Sequence, residues 1–548
     1  MFCLEKIPFI FLIFYMFFIY LLCLTFIIKM FYLWVFCYLV FFFFNFSENS
    51  FYGILPANIL SLICLFPILG CFVILFVWSQ GKGSDLYYKI IAFATSSFSL
   101  ISISFLVLVF DKQATGFQFL YSAIDLPIIN LSVVLGLDGL GLVFTALTAL
   151  LIPLCILGFW NSKIFSKEYC ISFLVLESLL FLAFFSIDLF FFYIFFESVL
   201  IPMFIMVSVW GSRARKIRAS YMLFFFTLFG SIIMLLAMLK LYIECGTLDI
   251  RALKLITFEE NFQCLLWWPF FLAFSVKIPV FPFHVWLPEA HVEAPTGGSV
   301  LLAGVLLKLG VFGFLRFLIP IFPLASAYFS PIVFVLCSFG VVYGSLIAIR
   351  QSDLKRVIAY SSVAHMNLIV MGIFSLTFQG FEGVIIQSLA HGFVSSALFF
   401  CIGMLYERFH TRTIAHISGL TVLMPIFNMF FLLFTMSNIA VPGTSSFIGE
   451  LLILLGIFKS NIFACVIGCT GMVLGGCYSL FLYNRLAYGI PTSNLFYGKT
   501  LNKLDISYRE VFILGSLAFG NLSLGLFPFF FTEYINTCCA ELIVSCCR

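Results

Sequence analysis

The chain has 548 residues, 63% of them hydrophobic and 9% charged, with a formal net charge of +4 and a mean hydropathy of +1.19. Soluble domains carry roughly 45–50% apolar and about 25% charged residues, so the composition excludes a soluble enzyme or a nucleic-acid-binding protein and describes an integral membrane protein. No GxGxxG fingerprint, Walker loop or CxxCH motif occurs, so a nicotinamide cofactor, ATP or haem has no visible holder. The eighteen cysteines lack zinc or CxxC spacing. Even the Cys538-Cys539 and Cys546-Cys547 doublets read as small membrane hydrophobes.

Residues 1–50 form a hydrophobic extension with apolar stretches at 7–28 and 31–46, separated by Lys29. It shows neither an amphipathic transit peptide nor a small-residue cleavage site, so a protein that works in an organelle is expected to be made there. At about 20 apolar residues per crossing, core spans are expected near 56–78, 87–110, 136–160, 168–186, 189–208, 219–242, 264–284, 299–320, 326–348, 356–376, 383–405, 420–441 with 446–460, 462–484 and 511–533. That is fourteen spans, the twelfth interrupted. The organisation expected is three helices over 54–160, five over 168–320, five over 326–484, and a last helix and tail over 511–548.

Loop charge tests this count, because a missed span would scramble the sign of every later loop. Loops after odd-numbered spans hold Lys82, Lys89, Lys163, Lys167, Arg213, Arg215, Lys216, Arg218, Arg350, Lys355, Arg356, Arg408, Arg412, Arg485, Lys499, Lys503 and Arg509. The other face holds only Lys112, Lys240, Arg251, Lys254, Arg316 and Lys459. The seventeen-to-six split puts the first set in the matrix or cytoplasm.

A charge at a span centre costs about 2.5–3.5 kcal/mol or more, so each is a functional candidate. Glu197 and Lys308 lie near mid-bilayer, Lys277 precedes Pro279 and Pro282, and His365 and His391 occupy the tenth and eleventh spans. A membrane histidine also serves as an interhelical hydrogen bond. Glu450 follows the break at Pro442-Gly443, where capping freed amides is a rival role. Glu177 is apolar-flanked and has no visible partner. His284, Glu289, His291, Glu293, Asp353 and Lys355 fall in basic-side loops, as solvated or subunit-contact residues or as groups for proton uptake or coupling. Asp138 reads as an N-cap.

Spans 4–8 and 9–13 have matching fourth members, one broken around Pro279 and Pro282 and the other at Pro442-Gly443. Five helices is an odd number, so the second set starts from the opposite face. Such inverted repeats with broken helices mark transporter ion sites.

The strings KIPVFPFHVWLPEAHVEAPTGGSVLLAGVLLKLG from Lys277, SDLKRVIAYSSVAHM and FFESVLIPMF resemble the antiporter-like subunits of respiratory complex I. The resemblance covers roughly residues 54–535 and is most specific over 277–310 and 352–366. Related Mrp-type cation/proton antiporter subunits share these motifs and are the alternative. The resemblance implies an ion pair of Glu197 with Lys277, a relay at Lys308, a central axis through His365 and His391, and a distal group at Glu450. It also implies a proton pump without redox centres of its own. NADH, FMN, iron–sulfur clusters and ubiquinone then belong to partner subunits. Expected partners are other membrane-arm subunits, including neighbouring antiporter-like ones, and lipids. The expected place is the mitochondrial inner membrane, from an organelle gene. The extension and the Cys-rich tail do not match the family pattern.

Overall fold

The computed structural model describes residues 58–77, 84–126, 131–161, 165–490 and 505–546. The extension with its apolar stretches lies outside the described residues, as do Lys82, Lys163, Lys499, Lys503 and Cys547.

Two helices, α1 (Ile59–Phe76) and α2 (Ser84–Val109), precede a hairpin of β1 (Gln118–Leu126) and β2 (Leu131–Leu137). Helices α3 (Gly139–Gly158), α4 (Ser166–Phe185), α5 (Leu189–Trp210), α6 (Lys216–Cys245) and α7 (Glu260–Lys277) follow. Past the first break come the short α8 (Trp286–Glu293), α9 (Thr296–Ile321), α10 (Pro323–Arg350), α11 (Leu354–Phe374) and α12 (Phe378–Phe409). The chain then forms α13 (Pro425–Asn438), α14 (Ser445–Ser460), α15 (Ile462–Ala487), α16 (Tyr508–Leu526) and α17 (Phe529–Cys546).

Among the described residues 11 helices are long and apolar enough to cross a membrane, or up to 12 if the bent pair α16–α17 is one span. The seventh and twelfth spans of the sequence reading fall outside that set. The breaks shorten both: α7 reaches 18 residues only by including the polar Glu260, Asn261, Gln263 and Lys277, and α13 has only 14 residues. Two further features depart from the reading. An antiparallel hairpin, paired from Gln118↔Leu137 to Leu126↔Leu131, stands where only a connection was expected. The tail is helical, as α17, and turns 70° from α16 at Pro528, which cannot continue a helix ladder.

Helices α9 and α12 are buried along their full hydrophobic stretches, their few polar side chains included. Outer helices expose Phe225, Phe229, Leu236, Phe339 and Val473, the surface that hydrocarbon tails would cover. The centre of the molecule is therefore the α9–α12 contact. A Cβ on Gly392 would sit 3.3 Å from the Gly304 carbonyl oxygen, so these two glycines let the helix backbones approach.

Arg316, counted above with the outer-face loops, is instead buried in α9 at 4% exposure. Its Nη2 donates to Asp138 Oδ1 at 2.5 Å, and its guanidinium lies over Phe117 and Phe312. Asp138 is the expected N-cap of α3, accepting from the Gly141 amide at 2.9 Å. Helix α17 covers this corner: Cys538 Sγ contacts Asp138 Oδ2, Glu533 pairs with Lys112, and Glu541 Oε1 accepts from the Gly116 amide at 2.8 Å. Removing one partner of a buried pair strands the other charge at a cost of about 3–5 kcal/mol. Arg316→Met should therefore lower the melting temperature of the purified assembly more than the Arg316→Met/Asp138→Asn double variant does. Calorimetry of the two checks this.

Candidate functional site

Two π-helical turns widen α9, at Leu302–Leu306 and Phe314–Leu318. Such bulges release backbone carbonyls from the ordinary ladder. Lys308, fully buried between them, uses one: its Nζ donates to the Ala303 carbonyl, five residues back. The same Nζ lies 2.9 Å from His391 Nδ1 on α12. A lysine ammonium has no lone pair, so when Lys308 is charged, His391 must present an unprotonated Nδ1. The Lys308–His391 contact can thus hold one excess proton, on one side or the other.

A second pair lies beyond it. His365 Nδ1 on α11 is 3.0 Å from Glu450 Oε1 on α14, and the His365 and His391 ring centroids are 6.0 Å apart. Gln387 Nε2 also donates to Glu450 Oε1, at 3.0 Å. Glu450 therefore binds side chains of two neighbouring helices and does not cap the start of α14. Gln387 escaped the sequence reading, although it lies four residues before His391 and so shares its face of α12.

At the first break the geometry departs from the implied ion pair. Lys277, the last residue of α7, donates from Nζ to the Phe196 carbonyl at 3.1 Å and lies 3.9 Å from the Phe196 ring centroid. That carbonyl is exposed to Lys277 where α5 is interrupted at Val199. Glu197 forms no ion pair with Lys277, and its buried Oε1 has no hydrogen-bond partner. The two charges remain within electrostatic range of one another.

Backbone groups freed at membrane depth must find partners inside the protein. At the first break Trp286 Nε1 donates to the Val276 carbonyl at 2.9 Å and Asn367 Nδ2 to the Pro279 carbonyl at 3.1 Å. At the second, Gly443 takes φ +93°, a conformation glycine adopts freely. There Ser446 donates to the Ser437 carbonyl, Thr444 Oγ1 to the Val441 carbonyl at 2.7 Å, and Asn521 Nδ2 of α16 to Ser437 Oγ at 2.7 Å. Asn367 and Asn521 also went unread; only their polarity within apolar spans signals them.

The remaining candidates separate. Glu177 accepts from Ser99 of α2 and makes no hydrogen bond or ion pair with the relay pairs among the described residues. His284 packs between Phe281 and Tyr343. Asp353 pairs with Arg213 at 3.5 Å, and Glu289 with Arg356 at 3.0 Å. Lys355 is no solvated loop residue: it is buried and donates to the Ala294 carbonyl at 2.8 Å. His291 is fully buried, and Glu293 nearly so, below the same face.

The family described as NADH:quinone oxidoreductase/Mrp antiporter, TM, matches residues 186–475, which contain every relay group above. NADH-ubiquinone oxidoreductase chain 4 of Marchantia polymorpha is 47% identical over 489 residues, covering 88% of this chain and 97% of that protein. The chain belongs to the NADH-ubiquinone oxidoreductase chain 4 family. Chain 4 of Arabidopsis thaliana is 46% identical, covering 88% of this chain and 97% of its own. A chain of respiratory complex I from Thermus thermophilus superposes with a TM-score of 0.80 at 28% identity, over 89% of this chain and 99% of that one. The archaeal membrane-bound sulfane sulfur reductase shares the fold, with a TM-score of 0.76 at 22% identity over 86% of this chain and 76% of that one.

In this chain 4 relative the Glu450 pairing depends on how closely α14 meets α12. A Cβ on Gly449 would lie 2.7 Å from Gln387 Cα, a backbone atom that cannot swing aside. Overpacking of this kind costs typically 1–3 kcal/mol. Gly449→Ala is expected to part the helices, lower thermal stability by that amount, and slow proton transport more than Gly515→Ala, where a Cβ meets nothing. Parallel melting and vesicle-acidification measurements read both effects.

Proposed function

We infer that this chain is a proton-translocating subunit of the membrane arm of NADH:ubiquinone oxidoreductase, assembled with neighbouring membrane-arm subunits and driven by redox chemistry elsewhere. The observation that carries the reading is the buried Lys308–His391 contact at 2.9 Å, a shared-proton pair in a membrane interior with a second pair, His365–Glu450, beside it. Among the described residues Lys308 has no carboxylate partner; its Nζ meets the Ala303 carbonyl and a titratable imidazole.

The order along the axis is Glu197 and Lys277, Lys308 and His391, His365 and Glu450. Desolvation disfavours a charged lysine while a nearby carboxylate favours it, by up to several pKa units. Motion of Glu197 toward or away from Lys277, driven by an adjoining subunit, therefore sets whether Lys277 keeps its proton. One unit is worth 1.36 kcal/mol, and moving one charge against 100 mV takes about 2.3 kcal/mol. A swing of about two units suffices for one step.

NADH, FMN, iron–sulfur clusters and ubiquinone are assigned to partner subunits, and the protein to the mitochondrial inner membrane as the product of an organelle gene. The full-length likeness to chain 4 proteins supports these assignments. It also favours the respiratory reading over an Mrp-type cation exchanger, which the family description includes.

Two measurements test the reading. On a native gel of gently solubilised membranes, the chain should run with a large band that oxidises NADH; a smaller inactive band would favour the exchanger. In the assembled enzyme, Lys277→Met and Lys308→Met should each lower the protons moved per electron. An unchanged ratio in both would sink the relay.

A further inference from the structure

We propose that His291, with Glu293, is the proton inlet that feeds Lys308 from the basic face. The proposal rests on the relay reading above and adds to it where protons come from. Three successive carbonyls around Glu293 are each held by a different segment. Arg412 Nη1 donates to the Val292 carbonyl at 2.7 Å, the Ser212 amide to the Glu293 carbonyl at 3.1 Å, and Lys355 Nζ to the Ala294 carbonyl at 2.8 Å. Those donors come from the α12–α13 loop, the α5–α6 loop and the first turn of α11, all on the face where the loop arginines and lysines gather. The backbone at 292–294 is therefore pinned directly beneath that face.

Side chains on this pinned segment are left open. The His291 ring lies flat on Phe399, with centroids 4.8 Å apart and planes 7° from parallel, which fixes its orientation. It is fully buried, yet neither ring nitrogen has a hydrogen-bond partner, and the buried Glu293 Oε2 has none either. Lys355 and Lys308 are both within electrostatic range of His291. An unsatisfied buried polar atom costs about 1–3 kcal/mol, and three within one short segment are a poor way to build a core. Unpaired buried polar atoms of this kind are partners for bridging water, through which protons pass between fixed groups.

Imidazole suits this position because it takes a proton at one nitrogen while releasing one from the other. An excess proton arriving from the basic face as hydronium leaves its water, whose O–H bond breaks, and forms an N–H bond on one ring nitrogen of His291. The N–H bond on the other nitrogen breaks, and its proton passes to the neutral amine of Lys308. His291 ends neutral in its other tautomer, Lys308 ends as an ammonium, and no electron is transferred.

The test compares His291→Gln, His291→Ala and Lys308→Met in the assembled enzyme in native membrane vesicles, with and without added imidazole. Both His291 variants are expected to lose protons per electron to the same extent as Lys308→Met. Imidazole should restore pumping in His291→Ala and leave Lys308→Met unchanged, a response that a packing role would not produce. A normal ratio in His291→Gln beside a defective Lys308→Met would overturn the inlet and leave the relay standing. Normal ratios in both would overturn the relay itself. A loss that imidazole does not relieve in an assembled His291→Ala enzyme would reduce His291 to a packing residue. Should the His291 variants fail to assemble on a native gel, Glu293→Gln is read in the same assay, where a normal ratio overturns the proposal.

Discussion

The site depends on one constraint: an ammonium buried in a membrane interior must be given lone pairs, and at Lys308 the protein itself supplies them. Lys308 gets two, from the Ala303 carbonyl and from His391 Nδ1. The first exists because α9 widens into a π-helical turn at Leu302–Leu306, and the second because Gly304 and Gly392 let α9 and α12 approach. Neither acceptor carries a full negative charge, so Lys308 is solvated without being neutralised by a fixed ion pair. Arg316, eight residues on in the same helix, shows the other solution. It meets Asp138 directly, and that pair anchors the hairpin, α3 and α17 together. Two buried cations in one helix thus serve different ends, distinguished by what faces them.

The broken helices extend the same logic to the backbone. Each break frees carbonyls that side chains from other helices then satisfy, so each break becomes a junction. Asn367 binds the Pro279 carbonyl two residues past Lys277, and it sits two residues after His365 on α11. The helix carrying the distal histidine is therefore fastened to the segment next to the proximal lysine. At the second break Asn521 of α16 binds Ser437, just before the turn that leads to Glu450. The last helix of the chain is tied into the distal end in the same way.

Much of this was legible in the sequence because the membrane makes charge conspicuous. Glu197, Lys277, Lys308, His365, His391 and Glu450 stand out among apolar neighbours, and four of them do meet in pairs. What sequence could not supply was partner choice. Lys277 points at a carbonyl opened by a local interruption of α5; Pro202 in FFESVLIPMF signals a disturbed helix ladder there but not which group uses the freed carbonyl. Gln387 and Asn367 are neutral, so no cost flags them, yet each fixes a functional group or a break. The hairpin at 118–137 was missed because its apolar strands lie between two apolar helices and carry no distinct period. Arg316 was misplaced because a basic residue at a span end usually snorkels outward, and only the fold reveals Asp138 waiting inside.

A pump that conducted in its resting state would discharge the gradient it builds, and the arrangement of the pairs bears on that requirement. Lys308–His391 and His365–Glu450 are each closed by a hydrogen-bond distance. Between them the two histidine ring centroids stand 6.0 Å apart with the planes tilted at 56°, and His365 Nε2 has no hydrogen-bond partner. Glu197 and Lys277 are likewise near but unjoined. The axis thus consists of closed two-group stores separated by open junctions. A proton can rest within a store at little cost, whereas crossing a junction requires a ring to turn or water to bridge. Against a potential worth about 2.3 kcal/mol per charge per 100 mV, it is the open junctions that oppose return flow. Under the relay proposed above, redox-driven motion needs only to close one junction at a time.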